Sequence, residues 1–140
     1  MKKQIALGAA LVLAASAAYA GLKQPALVEV DLVNGFAQGD MVTAANSKND
    51  VEFIGCGSRA FDLGEGEIFR FGFCQATDAA GVAVTCLTEL PSLLDEFRAA
   101  SDSSYITFSW SDDGAGNLTC TRVGFSNQSF YLEEVKSKGK

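Results

Sequence analysis

Three cysteines divide the central segment of the chain, Cys56-Gly-Ser-Arg-Ala-Phe-Asp-Leu-Gly-Glu-Gly-Glu-Ile-Phe-Arg-Phe-Gly-Phe-Cys74-Gln-Ala-Thr-Asp-Ala-Ala-Gly-Val-Ala-Val-Thr-Cys86. The midpoint of Cys56 and Cys74 is residue 65, which lies between two glycines. The midpoint of Cys74 and Cys86 is residue 80, inside an Asp-Ala-Ala-Gly sequence that is typical of a turn. Because residues equidistant from a hairpin turn lie opposite each other, the segment predicts three consecutive strands with their cysteines in one row.

Alternating apolar and polar residues extend this pattern on both sides. Strands are predicted over residues 27–33, 36–42, 51–61, 67–76, 82–88, 105–110 and 118–125. Residues 43–50 have no period and are expected to form a loop or a single helical turn. Residues 91–100 predict a helix, because Pro91 suits a first turn and Leu93, Leu94 and Phe97 form an apolar face for the sheet. The fold class is therefore α+β and mostly β: an antiparallel sheet of hairpins with one helix packed on a face, stapled by disulfides.

An aromatic stripe lies along the second central strand. Phe69, Phe71 and Phe73 are spaced two residues apart, so their side chains share one face of the strand. Such a stripe can be a stacking platform for a ligand. A small domain, however, needs its large side chains inside. We therefore expect the three rings to lie in the core.

The first twenty residues have the pattern of a secretory signal peptide. Lys2 and Lys3 precede an apolar run over residues 5–15, and Ala-Tyr-Ala at 18–20 is a small-residue cleavage pattern. Cleavage would leave residues 21–135 as one disulfide-stabilised β-rich domain, followed by a flexible basic tail at 136–140. We expect the mature protein to be periplasmic or secreted, with no membrane partner after cleavage.

Four cysteines in an exported chain predict two disulfides. Cys74 can face either Cys56 or Cys86, so the register leaves the pairing open. We favour Cys74–Cys86 with Cys56–Cys120, and Cys56–Cys74 with Cys86–Cys120 is a nearly equal alternative. The successive spacings of 18, 12 and 34 residues do not suit a zinc site.

Composition restricts the chemistry that the chain could perform. It has 11 basic residues, 17 acidic residues and no histidine. A net negative charge argues against nucleic acid as a partner. The absence of histidine removes the commonest general base and the usual catalytic zinc ligand, and we expect no catalytic residue, metal or cofactor. Two routes remain: a Ser-Lys dyad, for which lysine is sparse outside the tail, and a carboxylate pair. Candidates for the carboxylate pair lie near the first hairpin turn: Glu52, Asp62, Glu65 and Glu67.

A possible binding surface follows the last predicted strand. Residues 125–131 mix aromatic, amide and hydroxyl side chains, a mixture found at protein and sugar interfaces and also in terminal strands tied to a core. The residues of this predicted surface are Tyr105, Asn127, Gln128, Phe130 and Tyr131.

Several short motifs carry a resemblance. They are Asn-Ser at 46–47, Phe-Ile-Gly-Cys at 53–56, Cys-Gln-Ala-Thr-Asp-Ala-Ala-Gly at 74–81 with Cys86, Ser-Tyr-Ile-Thr-Phe at 104–108 and Ser-Phe-Tyr-Leu at 129–132. Together they resemble a group of small secreted bacterial proteins with no assigned role. The likeness covers most of residues 46–132, and it implies a shared fold without implying an activity.

These observations predict a non-catalytic exported binding module of the bacterial envelope or extracellular space, with a protein or glycan partner. An inhibitor of a cationic secreted enzyme is the sharpest version, because an acidic surface attracts such an enzyme. The alternative is a small carboxylate-dependent hydrolase that acts on cell-wall or extracellular polysaccharide. A third possibility is a self-associating structural component of the envelope, and the sequence leaves the oligomeric state open.

Overall fold

A computed structural model of the protein describes residues 21–132 of the chain. Seven strands form one sheet in the order β1-β2-β6-β7-β5-β4-β3. The strands are β1 Glu29–Asp31, β2 Phe36–Asp40, β3 Phe53–Gly64, β4 Glu67–Thr77, β5 Ala83–Thr88, β6 Tyr105–Asp112 and β7 Leu118–Ser126. The helices are α1 Met41–Ala45 and α2 Pro91–Glu96, and short 3₁₀ turns cover Phe97–Ala99 and Ser129–Tyr131. The predicted signal peptide and basic tail lie outside the described residues.

The three central strands have the predicted register. Cys56 lies opposite Cys74, and Cys74 lies opposite Cys86. The register shifts only beside the first turn, between Asp62 and Gly64. The turn places Glu65 in the left-handed region, at a φ of 53°. The midpoints of the cysteine spacings were therefore sufficient to align three neighbouring strands.

The sheet is mixed, which corrects the prediction of a purely antiparallel sheet. β5 and β7 are parallel neighbours, with Leu87 opposite Thr119. The other neighbouring pairs are antiparallel. The difference arises because α2 carries the chain past the neighbouring position, and the β6–β7 hairpin then returns β7 to the side of β5.

The concave face of the curled sheet carries the core. The sheet curls enough to bring Cα atoms of β1 and β4 within 8 Å of each other. The fully or almost fully buried residues on this side are Ala37, Ile54, Cys74, Ala76, Val84, Cys86, Ile106, Phe108, Cys120 and Val123. Ala44 on α1 joins this cluster, so the segment expected as a loop or single turn is a short helix that helps to close it.

The helix α2 packs on the same face, as predicted. A side chain added at Gly72 would meet the ring of Phe97 at 2.7 Å and Leu94 at 3.0 Å. The absence of a side chain at Gly72 thus makes room for the apolar face of the helix. The helix is shorter than the predicted residues 91–100, because its last turn tightens into the 3₁₀ turn Phe97–Ala99.

The disulfides join Cys56 to Cys74 and Cys86 to Cys120. The favoured pairing is therefore wrong and its alternative is correct. The strand order gives the reason: β3 and β7 are three strands apart, about 14 Å at the usual strand spacing. A disulfide needs Cα atoms within about 7 Å, so Cys56 at the sheet edge cannot reach Cys120.

No helix within residues 21–132 is long and apolar enough to cross a membrane. The two disulfides indicate an oxidising environment, such as the periplasm or the extracellular space.

Candidate functional site

The β3–β4 hairpin extends beyond its neighbour in the sheet. β5 accompanies β4 only between Gly72 and Thr77, although β4 begins five residues earlier at Glu67. On the other side, β3 is the edge strand. Residues 59–71 therefore form a two-stranded projection, which we call the arm.

The aromatic stripe lies on the convex side of this hairpin, which corrects the prediction that it lies in the core. Phe61 is 48% exposed and Phe69 is 39% exposed, while Phe71 and Phe73 are half-buried. The ring centroid of Phe71 lies 6.0 Å from that of Phe61 and 6.3 Å from that of Phe73. The concave side has no room for these rings, because the disulfides and the helix α2 occupy it.

Further apolar side chains are exposed near these rings. Leu87 and Leu90 are exposed beside the base of the arm, and Leu63 is exposed near its turn, whereas Ile68 is exposed on the concave face of the arm. A cleft of about 590 Å³ lies on this convex side and is lined by Phe69, Phe71, Leu87, Thr88, Glu89, Leu90 and Thr119. Contiguous apolar surface of this kind on a small protein is typical of interaction sites.

A second cleft, of about 700 Å³, lies between the concave side of the arm and α2. Arg59, Arg70 and Arg98 line it, and these are three of the four arginines in the sequence. Arg98 makes an exposed ion pair with Asp95 at 3.6 Å, which is weak because solvent screens it. The guanidinium of Arg59, however, lies on the convex side, 5.1 Å from the ring centroid of Phe73.

The side chain of Arg70 has no hydrogen bond or ion pair with another residue in the described part of the chain. Glu89 lines the same cleft and contributes an opposing negative charge. Within the concave cleft, the guanidinium groups of Arg70 and Arg98 are equal in number to the carboxylates of Glu89 and Asp95, and Arg98 is paired with Asp95. The unpaired guanidinium of Arg70 is therefore the group in this cleft that is available to a carboxylate of a bound molecule.

The predicted surface around Tyr105 is partly assembled. The rings of Tyr105 and Tyr131 stack with their centroids 5.3 Å apart, and Phe130 packs edge-on against Tyr131 at 4.5 Å. The Tyr105 hydroxyl donates a hydrogen bond to Gln38 at 2.7 Å. Burial raises the pKa of Tyr105 and of Tyr131 above the usual value of a phenol.

The two amides of this surface are placed differently. Asn127 accepts hydrogen bonds from the hydroxyls of Ser101 and Ser104 at 2.8 and 2.6 Å. Its amide nitrogen donates to the carbonyl of Ala99 at 2.9 Å. Asn127 thus ties the loop after α2 to the end of β7, while Gln128 is exposed. A binding role for this surface stays a prediction.

The candidate carboxylates do not all lie close together. Glu52 is buried and accepts hydrogen bonds from the Val28 amide and the Asn49 side chain, each at 3.0 Å. It lies ten residues before Asp62 on the same side of the hairpin, so about 33 Å of extended chain separates them. Glycosidase carboxylates lie about 5–9.5 Å apart, and Glu52 therefore cannot pair with the carboxylates at the turn. Among the described residues, no three His, Cys, Asp or Glu side chains are grouped to hold a metal ion.

Sequence reasoning missed the arm, although a usable signal was present. The predicted third strand ends at residue 88, which a turn centred on residue 80 places opposite residue 72. Residues 67–71 are predicted as strand but have no partner on that side. The mismatch in strand length therefore indicates a projecting hairpin.

No known protein family matches the chain, and neither a curated protein nor a solved structure is significantly similar to it. Functional inference therefore depends on the geometry of the arm and its two clefts.

Proposed function

We propose that the protein is a non-catalytic, exported binding module that contacts a partner protein through the arm. The observation that carries this proposal is the exposure of the Phe61 and Phe69 rings, with Leu63 and Ile68 also exposed, on a hairpin that projects from the sheet. The signal-peptide pattern supports export, as do the two disulfides.

Burial of the arm supplies a driving force for association. A phenylalanine side chain can bury 150–250 Å², so rings that are about half exposed leave roughly 80 Å² each in contact with water. Covering that area is worth about 2 kcal/mol per ring. Phe61 and Phe69 together would then contribute a large part of the binding free energy, as anchor residues do at protein interfaces.

A cationic secreted enzyme is the partner class favoured by the charge of the chain, with 17 acidic residues against 11 basic ones. Long-range attraction would speed the encounter with such an enzyme, and the apolar arm would provide the contact. In its more specific form, the proposal is that the protein inhibits such an enzyme. It also accommodates the resemblance to small secreted bacterial proteins.

Affinity capture with matched variants tests the proposal. The full-length sequence is expressed so that its disulfides form, and the protein is immobilised against envelope and culture-supernatant extracts. Phe69→Ser removes an arm ring, and Val33→Ser removes an exposed apolar side chain in the β1–β2 turn, where Val33 is 95% exposed. A reduced and alkylated sample controls for folding.

We expect a partner that the unchanged protein and Val33→Ser retain equally. Phe69→Ser should retain it about 30-fold less tightly, which corresponds to the burial of one ring. Equal retention by all three proteins would contradict the proposal, and so would an extract from which the folded protein retains nothing.

A further inference from the structure

The arm has an unpaired backbone edge on the β4 side. The Cα atoms of Cys56 and Cys74 are 4.1 Å apart, which is the spacing of a non-hydrogen-bonded pair in an antiparallel ladder. The amide and carbonyl of Cys74 therefore point toward β5. Because this direction repeats every second residue, those of Ile68 and Arg70 point the same way.

β5 does not reach these two residues. Its ladder with β4 ends where Thr88 lies opposite Gly72. After Thr88 the chain turns away, and α2 begins at Pro91. The backbone groups of Ile68 and Arg70 consequently face open space in line with β5, which is the arrangement that accepts an added strand.

The two clefts flank this edge on opposite faces. Phe69 and Glu89 line both of them, so the clefts meet beside the unpaired segment of β4. The convex cleft is apolar, with Phe71 and Leu87 in its lining. The concave cleft contains the guanidinium groups of Arg70 and Arg98. Successive side chains of a strand point to opposite faces, so an added strand would place alternate side chains in chemically different clefts.

We propose that the arm recognises an extended segment of its partner protein by strand addition along Ile68–Arg70 of β4, antiparallel to β4 and in line with β5. Apolar side chains of that segment enter the convex cleft, and acidic side chains alternate with them and enter the concave cleft. This inference rests on the proposed function, since it specifies how the partner is bound.

A second copy of the chain fits this position less well. If the edge strand β3 of another copy paired with Ile68–Arg70, the strand β4 of that copy would lie about 4.8 Å beyond its β3. Glu89 and Leu90 follow β5 and line the clefts on that same side of the unpaired edge. A single extended segment needs no room for a second strand, and its acidic side chains complement Arg70.

The test uses the disulfide-bonded full-length protein and a display library of random peptides of about nine residues. We expect enriched sequences in which apolar and acidic residues alternate. N-methylation of a selected peptide, one amide at a time, should weaken binding about tenfold or more at every second residue and little at the residues between. That period of two is the signature of a ladder.

A charge reversal tests the concave cleft. Arg70→Glu should weaken binding of the selected acidic peptide about tenfold or more, and a peptide with lysine in place of the acidic residue should then bind better than it does to the unchanged protein. Arg122→Glu is the matched control, because Arg122 is exposed on β7 and lines neither cleft. It should leave both peptides unaffected.

Three results would overturn strand addition: a library without alternating sequences, N-methylation effects without a period of two, or equal effects of the two charge reversals. A concentration-dependent dimer that Phe69→Ser abolishes in sedimentation experiments would also overturn it, in favour of a second copy on this edge. Affinity capture judges the proposed function separately. A partner lost with Phe69→Ser, combined with an unproductive library, would retain the binding module and reject this mode of recognition.

Discussion

Replacement of Asp40 by alanine should destabilise the fold by about 3 kcal/mol. Asp40 is fully buried at the start of α1, and its carboxylate accepts three hydrogen bonds of 2.6 Å, from the Ala26 amide and from the amide and hydroxyl of Thr43. Loss of a helix N-cap costs about 1 kcal/mol. The half-buried Ala26 amide would also lose its side-chain acceptor, and a buried amide left without an acceptor costs about 1–3 kcal/mol.

Urea unfolding measures this change in free energy. Trp110 is the single tryptophan of the chain, and its ring lies 5.9 Å from that of the buried Phe108, so its fluorescence reports the core. Asp40→Asn is the matched control. It keeps one acceptor oxygen and the shape of the side chain, and we expect it to cost about 1–2 kcal/mol. A loss below about 0.5 kcal/mol for Asp40→Ala, the range of ordinary surface changes, would refute the reasoning.

Three further predictions concern the core and its surroundings. Replacement of both Cys86 and Cys120 by alanine should lower the free energy of unfolding by about 4 kcal/mol in a urea titration, because their bridge closes a loop of 34 residues. Tyr105 and Tyr131 have raised pKa values in the folded state. Their burial therefore contributes stability that is fully present below pH 10.0 and is lost as the pH rises through the raised values. Absorbance of the phenolate and urea midpoints between pH 8 and 11 measure this loss. Gly72→Val should displace the apolar face of α2 and lower the melting temperature, at a cost of about 1–3 kcal/mol.

Each of these predictions has a control variant or a result that would contradict it. Removal of the Cys56–Cys74 bridge should cost less, about 3 kcal/mol, because it closes a loop of 18 residues. Phenolate ionisation at or below pH 10.0 in the folded protein would contradict the expected effect of burial. Gly55→Val is matched to Gly72→Val, since no atom lies within 4 Å of a side chain added at Gly55. Equal melting temperatures for these two variants would show that Gly72 does not make room for the helix.

Local features of the sequence were sufficient for the central strands and the position of the helix. The spacing of Cys56, Cys74 and Cys86 around two turns predicted which residues lie opposite each other, because pairing across a short hairpin is fixed by the turn. Pro91 and the apolar residues after it predicted a helix that packs on the sheet. Each of these features depends on residues that are close in the chain.

The location of the aromatic stripe could not be predicted in the same way. Alternation places Phe69, Phe71 and Phe73 on one face, but it does not say which face is buried. Hydrophobicity favoured the ring-bearing face. The structure instead buries the face with Gly72 and Cys74, because α2 and the disulfides require close approach to the backbone there.

The sequence by itself determined the strands, the register of the central hairpins and the balance of residues that excludes histidine chemistry, because these depend on composition and on neighbours along the chain. The tertiary structure alone decided that Cys86 pairs with Cys120, that β5 and β7 are parallel, and that the arm projects with its rings exposed. All three depend on the order of strands in the sheet. That order is settled by packing between residues far apart in the chain, where local periodicity carries no information about which strand lies beside which.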